Sequence, residues 1–322
     1  MSAETSNERA SGLVEVWRST VPGTRAHAVA TDSASDCLLI ADGWGVSFAA
    51  LRLHRLSLST GAETTSIRTR HQAVGALGIA DERVFVATSK RLLQLGLEDL
   101  SIVAEWDRGL IANTQKMVLA AARVVMANWR APTIGVFDPS TGVTKRVRVG
   151  SQPLLIPTPE GVLVAAGFDG VLSTLDTSTG RLAETRPSIP MTSALAMGLD
   201  VWCVPAVPAS GGDGDPSVWV KHGSDRLVRI VGAPATGLLS GRARRLFADV
   251  ARHVLWCITG DSADHLDEVD SDTGQIIATF SSAAQSWFCH VDPRAGMAFA
   301  LARDATDKSR DVLTAYRLPP HI

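Results

Sequence analysis

Short apolar runs bounded by polar residues, Gly or Pro recur along the whole chain. Examples are Val84-Phe-Val-Ala87, Val124-Val-Met-Ala127, Val162-Leu-Val-Ala-Ala166, Val201-Trp-Cys-Val204, Val254-Leu-Trp-Cys-Ile258 and Met297-Ala-Phe-Ala300. Runs this short, rich in β-branched and aromatic residues, predict buried strands. Helical spacing of apolar positions is not sustained anywhere, so the pattern is all-β.

Between the runs a turn signal repeats: Ser57-Leu-Ser-Thr-Gly61, Asp138-Pro-Ser-Thr-Gly142, Asp176-Thr-Ser-Thr-Gly180 and Asp270-Ser-Asp-Thr-Gly274, with weaker equivalents at Leu97-Glu-Asp-Leu100 and around Gly232. The leading Asp or Ser accepts hydrogen bonds from backbone N–H groups ahead of it, and the closing Gly supplies a positive φ. Such a turn joins two antiparallel strands. Its spacing is about 40 residues, the length of one propeller blade. Laid out as strands A to D, the chain gives blades near 27–67, 71–106, 113–149, 152–188, 192–240, 244–280 and 285–318. The last blade ends at a third strand, Leu313–Leu318, and the leftover Leu13-Val-Glu-Val-Trp-Arg18 is expected to supply its outer strand. The predicted fold is a seven-bladed β-propeller of four-stranded antiparallel blades, closed by the N-terminal strand. That closure removes a free edge and ties the termini together.

Composition changes this picture little. A length of 322 residues suits one closed repeat domain, expected over residues 13–322 behind a disordered tail of residues 1–12. The 31 basic and 33 acidic residues leave a net charge of −2, and the richest basic cluster, Arg242, Arg244 and Arg245, is too short to track a phosphate backbone. Nucleic acid is not an expected partner. The polar start, Met1 to Ala10, has no apolar core of a leader, and no long apolar run crosses a membrane, so a cytoplasmic protein is expected. Cys37, Cys203, Cys257 and Cys289 each lie in an apolar run without metal-binding spacing, and read as buried reduced thiols. Neither a metal nor a cofactor is expected.

Val124-Val-Met-Ala-Asn128 followed by Ile134-Gly-Val-Phe-Asp138-Pro-Ser-Thr-Gly142, and Val162-Leu-Val-Ala-Ala-Gly167 followed by Leu175-Asp-Thr-Ser-Thr-Gly180, resemble the repeats of YVTN-type and quinoprotein-like propellers. The resemblance covers most of the chain and implies the fold. It implies no single activity, because that superfamily holds dehydrogenases, lyases, lactonases and binding proteins. WD40 propellers carry repeated Gly-His and Trp-Asp pairs, whereas the only Trp-Asp here is Trp106-Asp107. Quinone-dependent dehydrogenases carry a Trp-bearing docking repeat that this chain lacks, which disfavours redox chemistry.

In a propeller the D–A and B–C loops gather on one face around the central channel. Aligning the A-strand starts brings His27, Gln72, Gln115, Gln152, Ser193, Arg244 and Gln285 to equivalent positions. This ring suits a polar or anionic small molecule, or else bonds the backbone of neighbouring blades. The B–C loops add Trp44, Trp129, Arg130, Asp169, His222, Asp261, His265 and the Arg303-Asp304 pair. Trp44 and Trp129 read as an aromatic clamp or a cap. His27 with Arg244, or His265 with Asp261, are the candidate acid/base pairs. The longest insertion, Pro205–Pro216, is Gly-rich and reads as a lid or a disordered loop. Two functions follow. One is a small-molecule propeller, possibly a non-redox lyase, hydrolase or cyclase of secondary metabolism. The other is a protein-interaction scaffold without catalysis, which requires an exposed apolar patch on one face.

Overall fold

The computed structural model describes residues 12–22, 28–41, 51–69, 73–128, 130–208, 219–307 and 310–320, with the backbone alone at Pro22, Pro208 and 219–223. Every regular element among them is a strand. The chain opens with β1 (Val14–Pro22). Blade 1 follows as β2 (Val29–Asp32), β3 (Cys37–Ala41), β4 (Arg52–Ser57) and β5 (Glu63–Arg68). Blade 2 is β6 (Val74–Ala80), β7 (Arg83–Thr88), β8 (Leu92–Gly96) and β9 (Ile102–Trp106). Blade 3 is β10 (Lys116–Ala120), β11 (Arg123–Ala127), β12 (Thr133–Asp138) and β13 (Val143–Arg148). Blade 4 is β14 (Pro153–Thr158), β15 (Gly161–Ala166), β16 (Val171–Asp176) and β17 (Arg181–Pro187).

Blade 5 is β18 (Met191–Met197), β19 (Asp200–Pro208), β21 (Arg226–Val231) and β22 (Thr236–Leu238), with the extra strand β20 (Trp219–Gly223) paired to β19. Blade 6 is β23 (Arg245–Asp249), β24 (Val254–Thr259), β25 (His265–Asp270) and β26 (Ile276–Ser281). Blade 7 is β27 (Ser286–Asp292), β28 (Met297–Arg303) and β29 (Arg310–Arg317), completed by β1 in the order β27-β28-β29-β1. All these pairings are antiparallel, and Val14 sits opposite Arg317 at the closing seam.

The A strands touch in ring order, β2 to β6, β10, β14, β18 and β23, and β27 meets β24 and β2. Buried apolar side chains accordingly form seven clusters, one in each gap between neighbouring blades. Strand alternation divides a B strand between two of them. Trp202 and Val204 pack toward blade 6, whereas Val201 and Cys203 pack toward blade 4. Both faces of each B strand are therefore dry, which is why the sequence runs are continuous rather than alternating. Each Leu, Val or Ile so buried contributes roughly 1.5–3 kcal/mol.

The repeated turn has the geometry its residues demand. Asp176 Oδ1 accepts from the N–H of Ser178 at 2.8 Å, Gly180 donates its N–H to the Asp176 carbonyl at 2.8 Å, and Gly180 has φ 69°. Asp138 and Asp270 repeat the arrangement in blades 3 and 6. Blade 5 departs from expectation: β19 continues to Pro208 and returns as β20, so the insertion begins and ends as a hairpin, with residues 209–218 outside the described set. No described helix is long and apolar enough to cross a membrane.

Candidate functional site

The antiparallel topology puts the B–C and D–A loops on one face and the A–B and C–D turns on the other. On the first face, at the channel mouth between blades 6 and 7, lies a cleft of about 710 Å³. Its lining includes Arg244, Arg245, Asp261, Ser262, Trp287 and Arg303. Arg244 and Arg245 stand where the D–A loop becomes β23, and Trp287 is the second residue of the neighbouring A strand. Arg303 ends β28, beside the B–C loop of blade 7.

The Arg244 guanidinium is held by backbone carbonyls. Arg244 donates from Nε to the Gly260 carbonyl at 3.2 Å and from Nη2 to the Asp261 carbonyl at 2.6 Å. Arg245 donates from Nη1 to the Cys289 carbonyl at 2.8 Å, bridging blades 6 and 7. Arg303 differs, with its Nε 3.5 Å from the buried carboxylate of Asp311. The loop that fixes Arg244 turns at Gly260, with φ 91°, where a Cβ would run into the Asp264 carboxylate. Lys116, at the start of β10, lies within reach of the Arg245 charge; the protein crowded round its ammonium group and that charge lower its pKa to about 8. Deeper in the wall, His290 Nε2 is 3.1 Å from Thr31 Oγ1 across the seam between blades 7 and 1, and its ring packs on Phe247 and Phe299. Burial, with a smaller push from Arg245, lowers its pKa to about 3.

Of the residues the sequence pointed to, Arg244 and Asp261 meet in this cleft, through a backbone carbonyl rather than through the carboxylate. His265 turns to Asp264, Nδ1 to Oδ1 at 3.2 Å. Asp264 carried no sequence signal beyond its polarity. Gln115 and Arg244 are structurally equivalent: each donates its backbone N–H to a carbonyl on the adjoining B strand, Ala127 and Ile258. Gln152 and Gln285 adopt left-handed backbone, φ 49° and 62°, so a turn conformation accompanies the glutamine at those starts. Ser193 lies within β18 as a half-buried residue, one step beyond a bulge. Arg130 is an exposed B–C loop residue whose N–H is held by Asn128 Oδ1. His27, Trp44, Gln72 and Trp129 lie outside the described residues, and His222 falls in β20, where only the backbone is described.

Arg245 and Trp287 complete the site although cluster or strand membership was their only sequence signal. A residue that enters a channel wall alternates with one that enters the core, and the two look alike in sequence. Among the described residues no group of three or more metal-ligating side chains gathers. The arrangement is suited to holding and orienting an anion by charge-assisted hydrogen bonds.

On the opposite face a groove of about 370 Å³ opens between blades 4 and 5, with Glu160, Glu184, Arg186, Leu199 and Val231 in its lining. Glu184 sits in a β-bulge of β17 at φ 49°, a conformation few non-glycine residues adopt.

No family model matches the sequence, and no curated protein matches it. Solved structures do. The chain is similar to the WD40 domain of Neurospora crassa Pan2, with TM-score 0.68, 11% identity and 96% of each chain covered. It is similar to the β-propeller domain of Myceliophteria thermophila Cps50 (Swd1), with TM-score 0.65 and 12% identity over 92% of this chain and 98% of that one. BamB from Moraxella catarrhalis aligns with TM-score 0.53 and 17% identity over 97% of this chain and 91% of its own. At such identities the likeness shows the fold alone, a seven-bladed propeller whose backbone plan does not need repeated Trp-Asp pairs.

Proposed function

We propose that the protein is an interaction propeller that holds a protein partner on the face carrying the A–B and C–D turns. The supporting observation is where its exposed large apolar side chains lie. Leu199 is 74% exposed and Val250 58% exposed, on the A–B turns of adjacent blades 5 and 6. Val14, Val16, Ile102, Val103, Val143 and Ile277 stand toward the same end of their D strands, and Val207 and Leu238 are the exceptions among the described residues. Exposed aliphatic groups gathered toward one face of a rigid ring favour association with another apolar surface. The groove beside Leu199 adds carboxylates at its edge, which fits a partner segment with apolar and basic residues.

The test is a crosslinking pull-down with the full chain. A partner held by the wild-type protein, lost with the double variant L199D/V250D and kept with R244Q supports the reading. A partner held equally by L199D/V250D overturns it. A second reading, a small-molecule site at the channel mouth, draws on a separate observation, the arginine-lined cleft on the opposite face.

A further inference from the structure

We propose that Lys116, on the wall of the central channel across from Arg245, is a nucleophilic amine that forms an imine with a small aldehyde entering the channel. The site is separate from the apolar face and from any partner held there.

Register fixes the place. The A strands make the inner ring, and in every blade one A-strand residue stands opposite the fifth residue of the B strand. In blades 1, 2, 4, 5 and 7 that residue is Ala28, Ala76, Leu154, Ser193 or Trp287, none of them charged. In blades 3 and 6 it is Lys116 and Arg245, opposite Ala127 and Ile258. Each opens its strand, and the N–H of the residue before it, Gln115 or Arg244, bonds the carbonyl of that same B-strand residue. The two side chains therefore start at the same height. Blades 3 and 6 are as far apart as a ring of seven allows, yet the Arg245 charge acts on Lys116. For that, both side chains must reach into the space between the walls. The cleft of about 710 Å³ lined by Arg245 and Trp287 opens this height of the ring to solvent.

The surroundings of Lys116 favour its neutral form. The neighbouring strands β6, β14 and β15 carry no ionisable residue. The paired strand β11 carries Arg123, at its far end and bound to Asp138 at 3.1 Å. Among the described residues no carboxylate acts on Lys116. Lys145 differs, since its Nζ donates to the Ser178 carbonyl at 2.8 Å. Lys116 is nonetheless exposed, so a solute can reach it. Protein crowding and the Arg245 charge bring its pKa down from 10.5 to about 8, which leaves far more free amine near neutrality than an ordinary lysine has. A lysine held beside another cation is suited to imine formation. The nitrogen lone pair adds to the carbonyl carbon, the C–O bond breaks, and the oxygen departs as water with both amine protons. A C=N bond replaces C=O, with no oxidant or reductant.

The test treats the full chain with propanal and cyanoborohydride, which reduces an imine to a stable propyl-lysine, and maps the modified peptides by mass spectrometry. At neutral pH Lys116 is expected to be labelled about tenfold or more faster than Lys90 or Lys145. That ratio is expected to fall above pH about 8, where Lys116 gains little more free amine while an ordinary lysine still does. K116R, which installs the residue blade 6 carries at this height and so keeps the fold, is expected to remove the fast label and leave that of Lys90 unchanged. Labelling of Lys116 no faster than that of Lys90 overturns the proposal. So does a fast label that persists in K116R, or a ratio that does not fall above pH about 8.

Discussion

Asp267 is fully buried on β25, where its Oδ2 accepts from Ser240 N at 2.8 Å and Ser240 Oγ at 2.9 Å, and its Oδ1 accepts from Thr279 Oγ1 at 2.8 Å. Ser240 belongs to the loop that enters blade 6, so one carboxylate ties that loop to the middle of the blade. D267A strands these donors and is expected to cost about 3 kcal/mol in urea unfolding. The role was not legible in sequence: an Asp inside His265-Leu-Asp-Glu-Val269 looks like the polar half of an alternating strand. The thiols were legible, because each sits in an unbroken apolar run. Burial pushes Cys37 up to about 11 and Cys203 and Cys289 up to about 12, and it raises Cys257 further. All four are expected to resist iodoacetamide in the native protein and to react on unfolding. His290 gives a pH dependence. Its folded pKa of about 3 lies below the ordinary value of 6.5, so between these the unfolded chain binds a proton that the folded chain refuses. Stability therefore falls as pH drops from 6.5 toward 3. H290Q, which keeps a hydrogen-bonding group near Thr31, is expected to lose less stability over that window in acid titrations of the unfolding midpoint.

Elements were the most readable level, and the reason is physical. A blade is sandwiched between two others, so its B strand is apolar on both faces, and a C–D turn is a local device whose Asp and Gly carry their own geometry. Blade 2 shows the limit: its turn closes on Leu100 at φ 57°, a buried residue in the place where the other turns carry Gly. There, packing of a Leu side chain outweighs backbone preference, and the sequence signal fades accordingly. The β19–β20 hairpin was hidden for a related reason, since a Gly-rich stretch gives no strand pattern. At Gly180 the φ of 69° makes alanine unfavourable, and G180A is expected to cost about 1 kcal/mol in thermal unfolding. G61A is expected to cost more, because a Cβ there would collide with the ring of Trp17. Comparing the two variants separates backbone strain from damage at the closing seam.

At the scale of the molecule, the site could not be read from sequence because it depends on how two neighbouring blades meet. Register places Arg244 at the mouth; only the gap between β23 and β27 sets Arg245 and Trp287 around the same space. The seam between blades 7 and 1 is fastened by Trp17, whose Nε1 donates to the Leu58 carbonyl at 2.8 Å and whose ring tilts against Phe299 at 6.0 Å. W17A removes packing from both blades and is expected to cost about 3–5 kcal/mol, measured as a lowered urea midpoint. The pairing of Val14 with Arg317 also has a kinetic meaning. Within the ring the first strand in chain order has its partner in the last, and until β29 emerges β1 has no strand of its own blade to pair with. Early blades can assemble during synthesis, but the ring closes only once β29 has been made. That ring closure, between segments from opposite ends of the propeller, is the step before which a nascent molecule exposes strand edges to its neighbours.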